Sequence, residues 1–168
     1  DENVDSQKML FEFQLYKELF QKWGFKSQIA DIEDFQIDSN NKFNYENRPA
    51  RFIYNRYCDF LLREDKSKTL RKAYLNHLCR LSPNPKEYLL LADKSRLINL
   101  SNSQFLEQLP LTEEELQLLQ ETIPKSYGVS QFESSEELWA NRKKYFFKPK
   151  RSFGGKSSYR GKSITKNV

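Results

Sequence analysis

A layered α/β unit that includes parallel strand pairing is the fold class this sequence predicts. Three observations predict it. Helical and strand signals alternate over the first sixty residues, a pattern that goes with crossover connections and a parallel sheet. The chain carries 13 Phe and 9 Tyr, which give it large apolar surfaces to bury although only 38% of it is hydrophobic; disordered chains are poor in aromatics. Its 168 residues are enough for one substantial domain, or a domain with an appendage.

Taken in order, Asp5 or Ser6 is placed to cap a long first helix that ends at Gly24, a natural residue for the position just past a helix. Met9, Phe13, Tyr16, Phe20 and Trp23 recur at spacings of four and three, so they share one face, which core packing accounts for. Ser27–Ile32 reads as a short strand. Asp38-Ser-Asn-Asn41, between Phe35/Ile37 and Phe43/Tyr45, reads as the turn of a hairpin. Arg51–Asn55 is a second buried strand, β-branched and aromatic. Ligand sites in open α/β sheets lie beyond the carboxyl ends of strands. Asn55, Arg56 and Asp59 are therefore substrate-side candidates, although Arg56 and Asp59 are also spaced to pair with each other at a helix start.

A helix is predicted from about Ser67 to Arg80, with Leu70, Ala73, Tyr74 and His77/Leu78 on one face, and Ser82-Pro-Asn-Pro85 ends it. Another begins near Lys86 and carries Leu90, Leu91, Leu97 and Leu100, with a break or turn marked by Asp93-Lys94. Thr112-Glu-Glu-Glu115 and Ser134-Ser-Glu-Glu137 are capping boxes, the first for a short helix ending near Thr122. Tyr127–Val129 is a short strand or a linker, and Tyr145-Phe-Phe147 returns to strand.

Charge is distributed unevenly. From Trp139 to Val168 there are ten Lys/Arg and no Asp/Glu, whereas the residues before Trp139 hold the other 18 basic and all 23 acidic ones. A basic end on a mildly acidic body points to an anionic ligand: nucleotide phosphates, nucleic acid or an acidic partner. No run of eighteen apolar residues is present, so no transmembrane helix is expected, and the first residues lack a basic-then-apolar leader. Cys58 and Cys79 are isolated and His77 is the one histidine. That composition fits a reducing cytoplasm and offers no structural zinc site. Starting on Asp rather than Met, the chain reads as a piece of a longer protein.

Three of the five glycines fall between 154 and 161, in Lys148-Pro-Lys-Arg-Ser-Phe-Gly-Gly-Lys-Ser-Ser-Tyr-Arg-Gly-Lys162. Glycine accepts positive φ and lets a backbone approach an anion, and neighbouring lysines supply point charges for phosphate. A P-loop is excluded: Gly155-Lys156-Ser157 would need glycine at 150 and Gly161-Lys162-Ser163 would need it at 156, and both positions are lysine. The Rossmann glycine pattern is absent as well.

Leu138–Pro149, continuing through Phe153-Gly-Gly-Lys-Ser-Ser-Tyr-Arg-Gly-Lys-Ser-Ile-Thr165, resembles a bacterial group of circularly permuted ATP-grasp proteins allied to glutathionylspermidine synthase. Ile53-Tyr-Asn-Arg-Tyr-Cys-Asp-Phe60, Leu81-Ser-Pro-Asn-Pro85 and Leu91-Ala-Asp-Lys-Ser-Arg-Leu97 resemble the same group, in the same order. The resemblance implies a pre-ATP-grasp-like α/β substrate domain over residues 1–130. It implies further that 131–168 opens an ATP-grasp domain with a helix, a strand and a glycine loop. Members of known activity join a carboxylate to an amine through an acyl-phosphate made with ATP. On that likeness Lys148 resembles the strand lysine that reaches the nucleotide's phosphates. Gly154, Gly155, Lys156, Ser157 and Ser158 resemble the loop that closes over them, and Arg160 and Lys162 further anion contacts. Lys162-Ser163 departs from the acidic-then-basic pair expected after Gly161. Asp93 and Lys94, placed near a domain junction, are further substrate-side candidates. The resemblance puts the Mg2+ ligands and most of the adenine pocket outside this chain, so the chain alone is expected to be inactive and to bind ATP weakly, with its loop past Lys150 mobile or held by whatever neighbour it finds.

The rival class is a nucleic-acid-binding module in which Tyr145, Phe146, Phe147, Phe153 and Tyr159, interleaved with basic residues, stack bases over a charged groove. Against it, Tyr145–Phe147 has the look of a buried strand and no known RNA- or DNA-binding motif occurs. A non-catalytic ATP-grasp scaffold is the third alternative.

Overall fold

The structure of the protein, a computed structural model, describes residues 1–165; Lys166, counted above with the basic end, lies outside them. The chain is mixed α/β, with a small parallel sheet and several helices. It divides into two compact units, Asp1–Tyr88 and Leu89 onward, and the division falls inside a π turn at Tyr88–Ala92.

The first unit begins with helix α1 (Leu10–Lys22), which closes as predicted. Gly24 takes φ +85°, and the amides of Gly24 and Phe25 donate back to Gln21 and Phe20, satisfying carbonyls the helix end leaves open. Its start differs from expectation. Met9 holds the N-cap position without a side-chain bond, while Asp5 and Ser6 lie in a separate 3-10 turn. Of the predicted stripe, Phe13 is buried and Trp23 is 61% exposed. Ser27–Ile32 is not a strand. Its backbone bonds go to the first residues of the chain and to the Tyr45 hydroxyl, with the Ile32 amide donating to Asp1 at 2.7 Å, and Asp31 then caps a 3-10 turn at Ile32–Asp34.

Strands β1 (Gln36–Ile37), β2 (Phe43–Tyr45) and β3 (Arg48–Pro49) form the expected hairpin and a third, short antiparallel strand. Asp38 makes the turn, since its carboxylate accepts from the amides of Asn40 and Lys42, both at 2.9 Å. Strand β4 (Phe52–Tyr54) pairs in parallel with β5 (Arg80–Ser82), and helix α2 (Lys68–Leu75) supplies the crossover.

The helix expected to run to about Arg80 stops at Leu75, and Arg80 opens β5. His77 adopts φ +56°, and the amides of His77 and Leu78 donate to Tyr74 and Ala73. That is a left-handed helix stop built on a non-glycine residue. The core lies between α2, the hairpin and the β4–β5 pair: Ile32, Phe35, Phe43, Tyr57, Leu62, Leu70, Ala73, Cys79 and Leu81 are all buried. Tyr16 and Phe20 of α1 meet the rings of Phe52 and Tyr54. Asn84 and Glu87 form a capping box on the single helical turn α3 (Pro85–Glu87).

The second unit is helical and then closes on a hairpin. Helices α4 (Arg96–Leu100) and α5 (Ser103–Leu106) precede α6 (Glu113–Thr122) and α7 (Ser135–Asn141). The Thr112/Glu115 capping box is present in full, and Ser134 accepts from the Glu137 amide. Residues 127–131 form no strand; Val129–Gln131 is a 3-10 turn. Strands β6 (Phe146–Phe147) and β7 (Tyr159–Arg160) pair antiparallel. Packing here is thinner. Leu106 is buried, and Tyr127, Phe132, Tyr145 and Phe147 meet edge to face at 5.5–6.5 Å between centroids. Residues 131–165 thus share a compact unit with residues from Leu89 onward.

Candidate functional site

The β6–β7 hairpin carries the glycine loop, residues 148–158. Its register sets Phe146 directly opposite Arg160 and Phe147 opposite Tyr159. Paired residues share a face of the ladder, so Phe146 and Arg160 lie on one side. Lys148 joins them there: its Nζ stands 5.4 Å from the centre of the Phe146 ring. Phe146 is 58% exposed. The strand expected to be buried therefore shows solvent an aromatic ring with Lys148 near it and Arg160 opposite on the paired strand. Phe147, on the opposite face, is half-buried against Tyr145.

The hairpin closes because position 161 is glycine. A Cβ there would lie 1.8 Å from the Arg142 carbonyl oxygen and 2.9 Å from that of Tyr145. The Gly161 amide donates to Tyr145 at 2.9 Å. Arg142, whose backbone Gly161 touches, lays its guanidinium 3.8 Å over the Trp139 ring.

Within the loop, Gly154, Gly155 and Ser157 all take positive φ, at +57°, +71° and +54°. Two successive turns are pinned by Lys156 donating to Phe153 and Ser158 donating to Gly155, both at 3.1 Å. All three positive-φ residues are exposed, and among the described residues their amides have no protein partner. Lys156 Nζ rests 4.4 Å over the Phe153 ring. Lys162 is exposed in the 3-10 turn Gly161–Ser163 that follows β7.

Asp93 and Lys94 hold the near end of this loop. Asp93 is buried; Oδ1 accepts from the amide and hydroxyl of Ser95 at 2.9 and 2.7 Å, and Oδ2 accepts from Arg151 Nε at 2.9 Å. The Ser95 hydroxyl, the Arg151 guanidinium and the Ser95 amide, in that order, hold its carboxyl well below the usual carboxylate range. The Lys94 amide donates to Lys150 at 3.0 Å, and Lys94 Nζ donates to the carbonyl oxygen of Ser152 at 2.9 Å.

The other expected site residues lie in the first unit, just past β4. Asn55 is buried and engaged on all sides: its amide donates to Ser82, its Nδ2 to Pro83, and its Oδ1 accepts from Tyr57. Arg56 pairs with Glu12 at 2.8 Å rather than with Asp59. Asp59 accepts from the Glu64 amide and the Ser67 hydroxyl, and no helix starts there. Cys79 is buried, and desolvation pushes its thiol up to about 11, which removes it as a nucleophile at neutral pH.

Comparison with protein-family models, with curated proteins and with solved structures finds no match to this chain. Among the described residues no helix is long and apolar enough to cross a membrane.

The residues present fit a polyphosphate: exposed cations Lys148 and Arg160 on one hairpin face, and a loop with unengaged amides at its tip. Among the described residues no three His, Cys, Asp or Glu side chains gather to hold a metal, and the Asp93 oxygens are committed to Ser95 and Arg151. Sequence reasoning had Lys148, Arg160 and the glycines. It did not connect Asp93 and Lys94 to the loop, because that contact spans 58 positions.

Proposed function

We propose that the chain supplies the substrate-side domain and the opening phosphate-binding strand and loop of an ATP-dependent carboxylate–amine ligase. A pre-ATP-grasp-like fold over residues 1–130 and the start of an ATP-grasp domain over 131–168 go with this proposal, as does a cytoplasmic setting. The observation that carries it is the grouping of Lys148 and Arg160 on one hairpin face beside a loop of three positive-φ residues with free amides. The resemblance of Leu138–Thr165 to permuted ATP-grasp proteins supports the same ligand. Carboxylate and amine substrates, and the rest of the grasp domain as partner, belong to the proposal as well.

The chain's own part in the chemistry is binding. Lys148 leaves the Phe146 ring to place its charge on a phosphate oxygen, and Arg160 approaches the same anion from the paired strand. The Gly154, Gly155 and Ser157 amides donate to oxygens further along the chain of phosphates. Phosphoryl transfer relies on such positioning and charge stabilisation. On this proposal the chain's residues bind and orient the phosphates, and the rest of the grasp domain supplies the metal ligands.

One observation favours a second reading. The exposed Phe146 ring, with Lys148 beside it and Arg160 opposite on the paired strand, is also a platform for stacking a base, as single-stranded nucleic acid requires. Titration with ATP and with a single-stranded oligonucleotide, in parallel with Lys148→Ala, separates the two. The ligase reading predicts weak ATP binding that Lys148→Ala lowers about tenfold, the scale of one lost charge-assisted bond. Oligonucleotide binding that is tighter than ATP binding and falls steeply with salt selects the second reading.

A further inference from the structure

We propose that Asp93 and Lys94 are positioning residues for polyphosphate binding: they dock the near end of the glycine loop, so that its tip alone moves when an anion arrives. This rests on the phosphate-binding reading of the hairpin. Neither residue is placed to touch the ligand itself. Asp93 is buried with both oxygens engaged, and Lys94 Nζ is spent on the Ser152 carbonyl and hydroxyl.

The pattern of bonds divides the loop into a held part and an open part. Lys150, Arg151 and Ser152 each receive or make a bond to the Asp93-Lys94 pair: backbone to backbone at 3.0 Å, ion pair at 2.9 Å, and ammonium to carbonyl at 2.9 Å. From Gly154 to Ser158 the backbone bonds among the described residues are those of the two local turns. Three consecutive residues tied to a buried carboxylate and its neighbour leave little freedom at the base. A loop closing on an anion then loses entropy over fewer residues, which strengthens binding without adding a contact. The buried anchor also keeps Arg151 from folding over the anion site, because its guanidinium is paired with Asp93.

The two Asp93 oxygens allow the roles to be separated. Oδ1 serves Ser95 and Oδ2 serves Arg151. Asp93→Asn retains an acceptor for Ser95 and turns an amide donor toward Arg151, so it undocks the loop and preserves the local turn. Arg151→Gln breaks the same pair from the other side and leaves Asp93 and Ser95 intact. The Lys94 amide, bonded to Lys150, reports docking by its hydrogen exchange in the absence of any ligand.

The experiment measures Lys94 amide exchange and the affinity for ATP and for inorganic tripolyphosphate, in the 168-residue chain and in Asp93→Asn, Arg151→Gln and the double variant. The expected result is faster exchange at Lys94 in all three variants. Affinity falls about fivefold for both ligands in each single variant, with no further loss in the double, as residues acting through one contact require. Unchanged exchange at Lys94 in the single variants overturns the proposal, and so does faster exchange with unaltered affinity. Additive losses overturn it too, since they would make Arg151 a direct ligand contact. If the unsubstituted chain binds neither ATP nor tripolyphosphate while Lys94 exchange responds as expected, the phosphate reading has failed. The Asp93–Arg151 tie is then structural only, and the positioning role is overturned with it.

Discussion

Asp93 is the residue on which the second unit's loop depends, and its carboxyl is a titratable tie. Its hydrogen bonds to Ser95 and Arg151 favour the ionised form, so its proton affinity is lower in the folded chain than in the unfolded one. A carboxylate depressed on folding contributes stability that is fully present above the unfolded value. The contribution is lost as pH falls through the folded one. Acid unfolding of the second unit should therefore steepen between about pH 5 and pH 2. In Asp93→Asn the steepening is reduced, with Glu115 and Glu136, whose carboxyls are also held down by hydrogen bonds, keeping the remainder, while stability at neutral pH is lower throughout. Fluorescence of Trp139 in the second unit, followed across that range, reads both effects. Equal acid sensitivity in the two proteins would remove Asp93 as the cause.

At the scale of elements, the closing hairpin is specified by one glycine and presented by two others, and the two kinds differ physically. Gly161 is required by contact, because a Cβ would overlap the Arg142 carbonyl. Gly154 has open space around it and is required by conformation alone, at φ +57°. Gly161→Ala should therefore destabilise the second unit by about 3 kcal/mol, the scale of an overpacked site that has to move backbone. Gly154→Ala should cost about 1 kcal/mol, the left-handed penalty of one residue. Thermal denaturation that ranks them the other way would refute the packing assignment. The elements also show what local sequence conveys. Gly24, the Asp38 turn and the Thr112 capping box act through neighbours in sequence and were readable. β5 was not, because His77 ends α2 in a left-handed conformation that carries no glycine signal, and the helical spacing runs on to Leu78. Ser27–Ile32 has strand composition, but its backbone partners are the first residues of the chain and the Tyr45 hydroxyl rather than the backbone of a neighbouring strand.

Over the whole molecule, the first unit holds a contiguous buried core, whereas the second is held by Leu106, a chain of edge-to-face rings, helix caps and the Asp93–Arg151 tie. The basic, acid-free end lies in the more thinly packed unit, where a loop is able to adjust to a ligand. The cations and glycines of that site were legible because their chemistry is concentrated in fifteen consecutive residues, Lys148–Lys162. Its anchor was not, since Asp93 and Arg151 come together only in the folded chain. Nor was the outward face of Phe146, which depends on the register with β7. The measurement that tests the central claim most directly is an amide chemical-shift titration of the labelled chain with ATP. The account predicts progressive shifts at Gly154, Gly155 and Ser157, with smaller ones at Lys148 and Arg160, and affinity in the millimolar range of about −4 kcal/mol. No shift up to about 10 mM ATP, or largest shifts outside residues 146–162, would contradict it.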